Sequence, residues 1–151
     1  MEMRGTYRLG PWDAASEATL DVRAGSIDEA IATALTAIAR AAAGEVGEGT
    51  AGTEASSGVS VPIRGQGQDV GEVVFQLAGD LLAQIDANGT GLRNVRLDGL
   101  LDAQPGFTAW GYALGSADGP PPPETLSLVE SPVVTDADGE TTVRVRLTKG
   151  A

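Results

Sequence analysis

Asp13 and Glu17 stand four residues apart beside Trp12 and Ser16, and this is the point in the chain where side-chain types and spacing could best support chemistry. Carboxylates and a hydroxyl on one turn are hard oxygen donors, suited to Mg²⁺ or Ca²⁺ rather than Zn²⁺. Two carboxylates are few for such a site, and by local pattern the segment reads as an ordinary polar turn. A hydrolase built on them would lack the additional convergent groups that general acid–base work needs. The 151 residues include no His and no Cys. That removes Ser-His-Asp and Cys-His triads, thiolate zinc sites, the HExxH protease helix and any disulfide framework. Only carboxylates, hydroxyls and backbone groups remain for site chemistry.

Three further patterns are weaker. Gly65-Gln66-Gly67-Gln68-Asp69-Val70-Gly71 follows a predicted strand and opens a predicted helix, the position of a phosphate-cradling glycine motif. Its spacing is GxGxxxG, no Walker Lys-Ser/Thr follows, and Asp69 would put negative charge where a phosphate would sit. The segment reads as a tight connection with a helix cap. Asp136-Ala137-Asp138-Gly139-Glu140 offers alternate carboxylates but lacks the twelve-residue EF-hand frame, so it reads as a solvated turn. Asn88-Gly89-Thr90 matches the glycosylation triplet, a chance match where no secretory signal is read.

The charge balance, ten basic against 21 acidic residues for a net −11, repels phosphate backbones and anionic lipid. Among the basic residues only Lys149 is lysine, and the arginines are scattered from Arg4 to Arg146 without a polybasic run. We therefore expect no direct nucleic-acid binding and no membrane association. No 18-residue apolar run is present. The Met1-Glu2-Met3-Arg4-Gly5 start lacks the basic stretch and apolar core of a signal peptide, which points to the cytoplasm.

The elements that must position these residues follow from periodicity. Residues 3–9 and 16–23 read as two strands about a turn at Gly10-Pro11-Trp12. Ser26-Ile27-Asp28-Glu29 matches a capping box, with the Ser26 hydroxyl accepting from the Glu29 amide and the Glu29 carboxylate reaching back to Ser26. The helix that follows places Ile27, Ile31, Leu35, Ile38 and Ala42 on one stripe and ends at Gly44. Residues 44–59 carry almost no bulky apolar side chain, so ordering them gains little burial, and a flexible loop is expected. A short strand over 58–64 contains Pro62, which suits a sheet edge. Asp69 caps a second helix whose apolar face is Val70, Val73, Val74, Leu77, Leu81 and Ile85, stopped by Asn88-Gly89. Beyond residue 92 the period changes to two, with strands expected over 92–97, 107–114, 125–130, 133–135 and 141–148, the last two joined as a hairpin. Pro120 to Pro123 makes the 115–123 segment a stiff connection. Two amphipathic helices need an apolar sheet to pack on, so the class is α+β, one domain over 1–151 with a mainly antiparallel sheet.

Read as a unit, Gly10 to Ala30 resembles the archease family. That family opens with a strand, an Asp-His-Thr-Ala-Asp motif, a second strand and a helix beginning Ser-Leu-Glu-Glu. Here Asp13-Ala14-Ala15-Ser16-Glu17 falls in the motif's frame and Ser26-Ile27-Asp28-Glu29 at the helix start. The order of elements agrees over nearly the whole chain. The resemblance implies a cytoplasmic, non-catalytic accessory protein that promotes guanylylation of the RNA ligase joining 2′,3′-cyclic phosphate or 3′-phosphate ends to 5′-hydroxyl ends. It also implies an acidic metal site. Carried over by position, its first Asp is Asp13 and its second is replaced by Glu17, with Ser16 and Thr148 as neighbours. Ala14 and Ala15 replace the motif's His and Thr. The family's C-terminal acid is missing, since Val145-Arg146-Leu147 is followed by Thr148-Lys149, and a Lys there would repel a cation. The expected site is therefore degenerate, holding at most a weakly bound Ca²⁺ or Mg²⁺, and the expected partner is a protein, an RNA ligase in the first instance. The alternative is an archease-fold interaction module with neither metal nor ligase role.

Overall fold

The computed structural model describes residues 5–45, 47–50, 59–89, 92–103, 106–115, 125–137 and 139–150. Eleven elements follow one another as β1 (Thr6–Leu9), β2 (Glu17–Ala24), α1 (Ile27–Ala42), β3 (Gly47–Thr50), β4 (Val59–Gly67), α2 (Val70–Asn88), β5 (Leu92–Ala103), β6 (Gly106–Gly115), β7 (Thr125–Leu128), β8 (Val133–Ala137) and β9 (Glu140–Gly150).

The strands form two antiparallel sheets. The larger runs β3-β1-β2-β9, with β7 and β8 both paired to the far side of β9. They meet β9 at its C-terminal and N-terminal halves respectively, and the Val129 amide continues the ladder between them by donating to the Arg146 carbonyl at 2.9 Å. The smaller sheet runs β4-β6-β5. Strict alternation in β2 turns Ala18, Leu20, Val22 and Ala24 inward, and β9 answers with Val143, Val145 and Leu147. The facing layer comes from Ile63, Leu92, Val95, Ala109 and Ala113 of the smaller sheet.

Between these layers lies α1, which is buried on most sides: Ile31, Leu35, Ile38 and all of its alanines but the half-buried Ala32 are buried. An alanine-rich helix has the slim profile that such a central position requires, because both sheets can approach it closely. Two polar groups tie it outward. Thr36 Oγ1 accepts from the Val95 amide of β5 at 3.0 Å, and Arg40 donates to Tyr7 Oη of β1 at 3.1 Å and to Asn94 Oδ1 of β5 at 3.0 Å. One helix thus links both sheets by hydrogen bonds as well as by packing.

The capping of α1 is half of the expected box. Ser26 Oγ accepts from the Glu29 amide at 3.2 Å, but the Glu29 carboxylate accepts from the Gly5 amide at 2.7 Å, fastening the start of β1 to the helix instead of closing back on Ser26. α2 is capped by Asp69, whose Oδ1 accepts from the Glu72 amide at 2.8 Å, and ends at Gly89 with φ of 96°.

Several boundaries differ from expectation. Residues 47–50 form the edge strand β3 on β1, because Gly47 at φ of 105° turns the chain back onto an open sheet edge; 46 and 51–58 lie outside the described residues. β4 extends through Gly67, so Gly65-Gln66-Gly67 is strand and only 68–69 connect to α2. β-carbons on Gly65 and Gly67 would press on α2's own backbone, 2.8 Å from Val73 O and 2.8 Å from Val73 N respectively. These glycines let helix and strand pack closely, which accounts for the motif without a phosphate. β5 runs to Ala103 because two register shifts, between Leu92 and Asn94 and between Leu97 and Gly99, break its period of two without ending its pairing. Pro62 sits on the edge strand β4, as its missing donor requires. Thr90, Asp138 and residues 116–124 lie outside the described residues. No helix among the described residues is long and apolar enough to cross a membrane.

Candidate functional site

The turn between β1 and β2 is built by Asp13. Its Oδ1 accepts from the amides of Ala15 at 2.8 Å and Glu17 at 3.0 Å, while its own amide donates to the Glu17 carbonyl at 2.8 Å. This side-chain-closed loop holds Ser16 in the left-handed region at φ of 61°, unusual for a residue with a β-carbon. The Ser16 carbonyl then accepts from the Lys149 amide at 2.9 Å, which stitches the turn to the end of β9. Glu17 opens β2 directly opposite Thr148, and Ser127 of β7 faces Thr148 from the other side. All four residues singled out from the sequence, Asp13, Ser16, Glu17 and Thr148, therefore meet at one corner of the larger sheet.

The same corner contains the chain's own cations. Arg146 Nη2 donates to Glu17 Oε1 at 2.7 Å and its Nη1 to Glu130 Oε1 at 3.4 Å. The Lys149 ammonium lies 4.8 Å from the centroid of the Trp12 ring, a cation–π contact at the base of the turn. Asp13 has one carboxylate oxygen committed to two backbone amides, and Glu17 has its nearest oxygen on a guanidinium. Among the described residues no three acidic side chains converge. Divalent cations of the Ca²⁺ and Mg²⁺ class need about six or more oxygens and tolerate no neighbouring cation cheaply, so these residues do not fit a resident metal ion.

Arg146 and Glu130 escaped the sequence reading as site residues. Their role depends on strand register, which places Thr19 opposite Arg146 and lets the guanidinium reach diagonally to Glu17. The available signal was the alternation Arg144, Arg146 on one strand against Glu17, Asp21 on another, and only the pairing could show that they meet.

That alternation continues across the solvent face of the sheet. Glu48, Arg8, Asp21 and Arg144 are successive register partners on β3, β1, β2 and β9, giving a row of charges of alternating sign. Arg144 Nε lies 3.0 Å from Asp21 Oδ1 and Arg8 Nε 3.9 Å from Glu48 Oε1. A shallow concavity of about 960 Å³ follows this row, flanked by Thr6, Arg23 and Thr142. Its charges largely cancel, and it brings no acid pair together. Asp21 is engaged with Arg144, and Asp98 and Asp102 belong to β5 of the other sheet, so none of these three joins Asp13.

No protein-family model and no curated protein matches this chain. Among solved structures it is similar to the solution structure of Methanobacterium thermoautotrophicum protein 1598, at 15% identity and a TM-score of 0.63, over 94% of this chain and 97% of that one. At such identity the likeness is one of architecture: two helices packed on antiparallel sheets in an α+β fold of archease-like type.

Proposed function

We propose that this chain is an archease-like accessory protein that acts by binding another protein, and that its acidic corner works without a resident divalent cation. The observation that carries this reading is the Glu17–Arg146–Glu130 arrangement. A permanent guanidinium stands against the carboxylates where the resemblance places a metal, with Lys149 on the adjoining ring. Ion-paired acids of this kind hold a loop and strand end in place and leave too few free oxygens for a resident divalent cation. Support for the accessory role comes from the archease-like fold; among the described residues no three Asp or Glu side chains gather as a metal-dependent catalytic centre would need. The partner that the resemblance implies is the RNA ligase of end repair and tRNA splicing, whose guanylylation the protein would promote.

Sedimentation velocity with the purified ligase encoded by the same genome tests the pairing. A faster-sedimenting species containing both chains, formed equally in chelator and in Ca²⁺, is expected. If none forms, the alternative of an archease-fold module for a different protein takes over, which the missing donor set at the corner favours.

A further inference from the structure

The chain has only six aromatic residues, and β6 places two of them, Trp110 and Tyr112, on the solvent face of the smaller sheet. Burial alternates along this central strand: Ala109, Gly111 and Ala113 turn inward toward the helices, so Trp110 and Tyr112 turn outward. Register sets their neighbours. Trp110 lies between Arg64 and Gly99, Tyr112 lies between Pro62 and Arg96, and exposed Leu101 stands one row away opposite Thr108. Trp110 is 39% exposed and Leu101 55% exposed, and among the described residues no element covers this face. The Trp110 ring rests against Gly99, where a β-carbon would collide with it, so the indole is held in a defined position rather than free to sweep.

Aromatic residues fixed beside arginine, with an apolar surround, have the composition of the few residues that dominate protein–protein binding energy. The charges narrow the occupant. Arg96 is bound to Asp98 through Nε at 2.8 Å and lies over the Tyr112 ring at 5.3 Å, and Asp98 holds its guanidinium above the ordinary value, first by hydrogen bond and then by charge. Arg64 makes no ion pair among the described residues, a free cation on a chain of net charge −11. We propose that this face docks an apolar segment of a partner protein that carries a carboxylate for Arg64, its apolar side chains lying on Trp110 and Leu101. Single-stranded RNA fits less well, since one side of Trp110 is against the sheet and Tyr112 is already covered by Arg96, so neither ring is open for a base to stack on. The proposal rests on the reading of this chain as a protein-binding accessory factor and assigns the surface it uses.

The test is a ¹⁵N NMR titration of the full chain at about 0.15 M salt, where the long-range field is screened, with a synthetic Leu-rich peptide carrying one Glu, its counterpart carrying one Lys, and oligouridylate. The acidic peptide should shift the Trp110 indole N–H saturably, at least about fivefold more tightly than the basic one, as charge complementarity at a single cation requires. The Trp12 indole, on the other sheet, should not move. Trp110→Ala should abolish the saturable peptide-induced shifts of the Arg64 and Tyr112 backbone amides on the same face, and Arg64→Glu, on an exposed edge-strand site that leaves the fold intact, should reverse the peptide preference. Equal affinity for both peptides, a response to oligouridylate in place of peptide, or no saturable shift overturns the proposal. The two readings fail separately. Ligase binding that survives both substitutions refutes this surface and leaves the accessory role, whereas peptide binding without ligase binding refutes the ligase and leaves the surface.

Discussion

Replacing Arg146 by Met should turn the corner from a cation-filled site into a vacant acidic one. The side chain is 48% exposed and pairs with Glu17, itself 30% exposed, and with Glu130 at 59%. Half-exposed pairs of this kind contribute roughly 0.2–1 kcal/mol each, so the stability lost should be about 1 kcal/mol, with Met retaining most of the packing of the aliphatic stem. The effect on cations is larger. A unit charge about 4 Å from a divalent ion in water-like surroundings costs about 2 kcal/mol, and salt reduces this to slightly over 1 kcal/mol. Removing it should strengthen Ca²⁺ binding roughly tenfold, from a wild-type affinity of about millimolar or weaker given so few coordinating oxygens. Isothermal calorimetry at fixed ionic strength reads both proteins directly. Wild-type binding in the sub-micromolar range that Asp13→Ala abolishes, or an Arg146→Met protein that binds Ca²⁺ no better than wild type, would refute the idea that Arg146 occupies a cation's place.

Three stability changes test the scaffold around the site. Thr36→Val keeps the buried shape but leaves the Val95 amide without its acceptor, and should lower unfolding free energy by about 1–3 kcal/mol in urea titrations; an unchanged midpoint would mean that the α1–β5 hydrogen bond contributes nothing. Gly79 lies on the exposed side of α2 with open space beside it, so Gly79→Ala should stabilise by about 0.5–1 kcal/mol, seen as a higher Tm, and a lower Tm would show a hidden contact there. Ser16→Gly relieves a left-handed residue worth roughly 1–2 kcal/mol of strain while adding about 0.4–1 kcal/mol of unfolded-state entropy. A net gain between about 0 and 1.6 kcal/mol is expected, and a loss would assign the Ser16 hydroxyl a bonding role.

Local rules read the helices well because their determinants are local. Ser26 and Asp69 announce both N-termini, Gly89 the second stop, and the apolar stripes of Ile31, Leu35, Ile38 and of Val73, Leu77, Leu81, Ile85 are the faces that are buried. The division into two sheets was not legible, since nothing short-range tells β9 to pair with β2 while β6 pairs with β4 and β5. β3 was invisible for a related reason. Gly47-Glu48-Gly49 has no strand propensity, and it is strand because β1 offers it an unpaired edge and a cross-strand Arg8 for Glu48. The Glu29 carboxylate went to Gly5 rather than to its own cap because the helix start is pressed against β1, a tertiary fact. At the corner, the closeness of Asp13, Ser16, Glu17 and Thr148 followed from position, while Arg146 reaches Glu17 only through register and Glu130 reaches Arg146 only through the β7–β8 connection. Exposed Trp110 and half-buried Tyr112 looked like ordinary strand sequence, because which side of β6 faces solvent depends on the layer beneath it.

The proposed accessory role comes down to one rate. Single-turnover guanylylation of the RNA ligase from the same organism, followed with labelled GTP, should accelerate at least about tenfold, the effect of roughly 1.4 kcal/mol off the barrier, when this chain is added in substoichiometric amounts. Acceleration should persist with Glu17→Gln, which removes a carboxylate charge that a bound cation would need and keeps a side-chain oxygen to accept from Arg146. No acceleration at equimolar or excess chain, or a dependence on Glu17 that added Ca²⁺ restores, would contradict a metal-independent accessory protein.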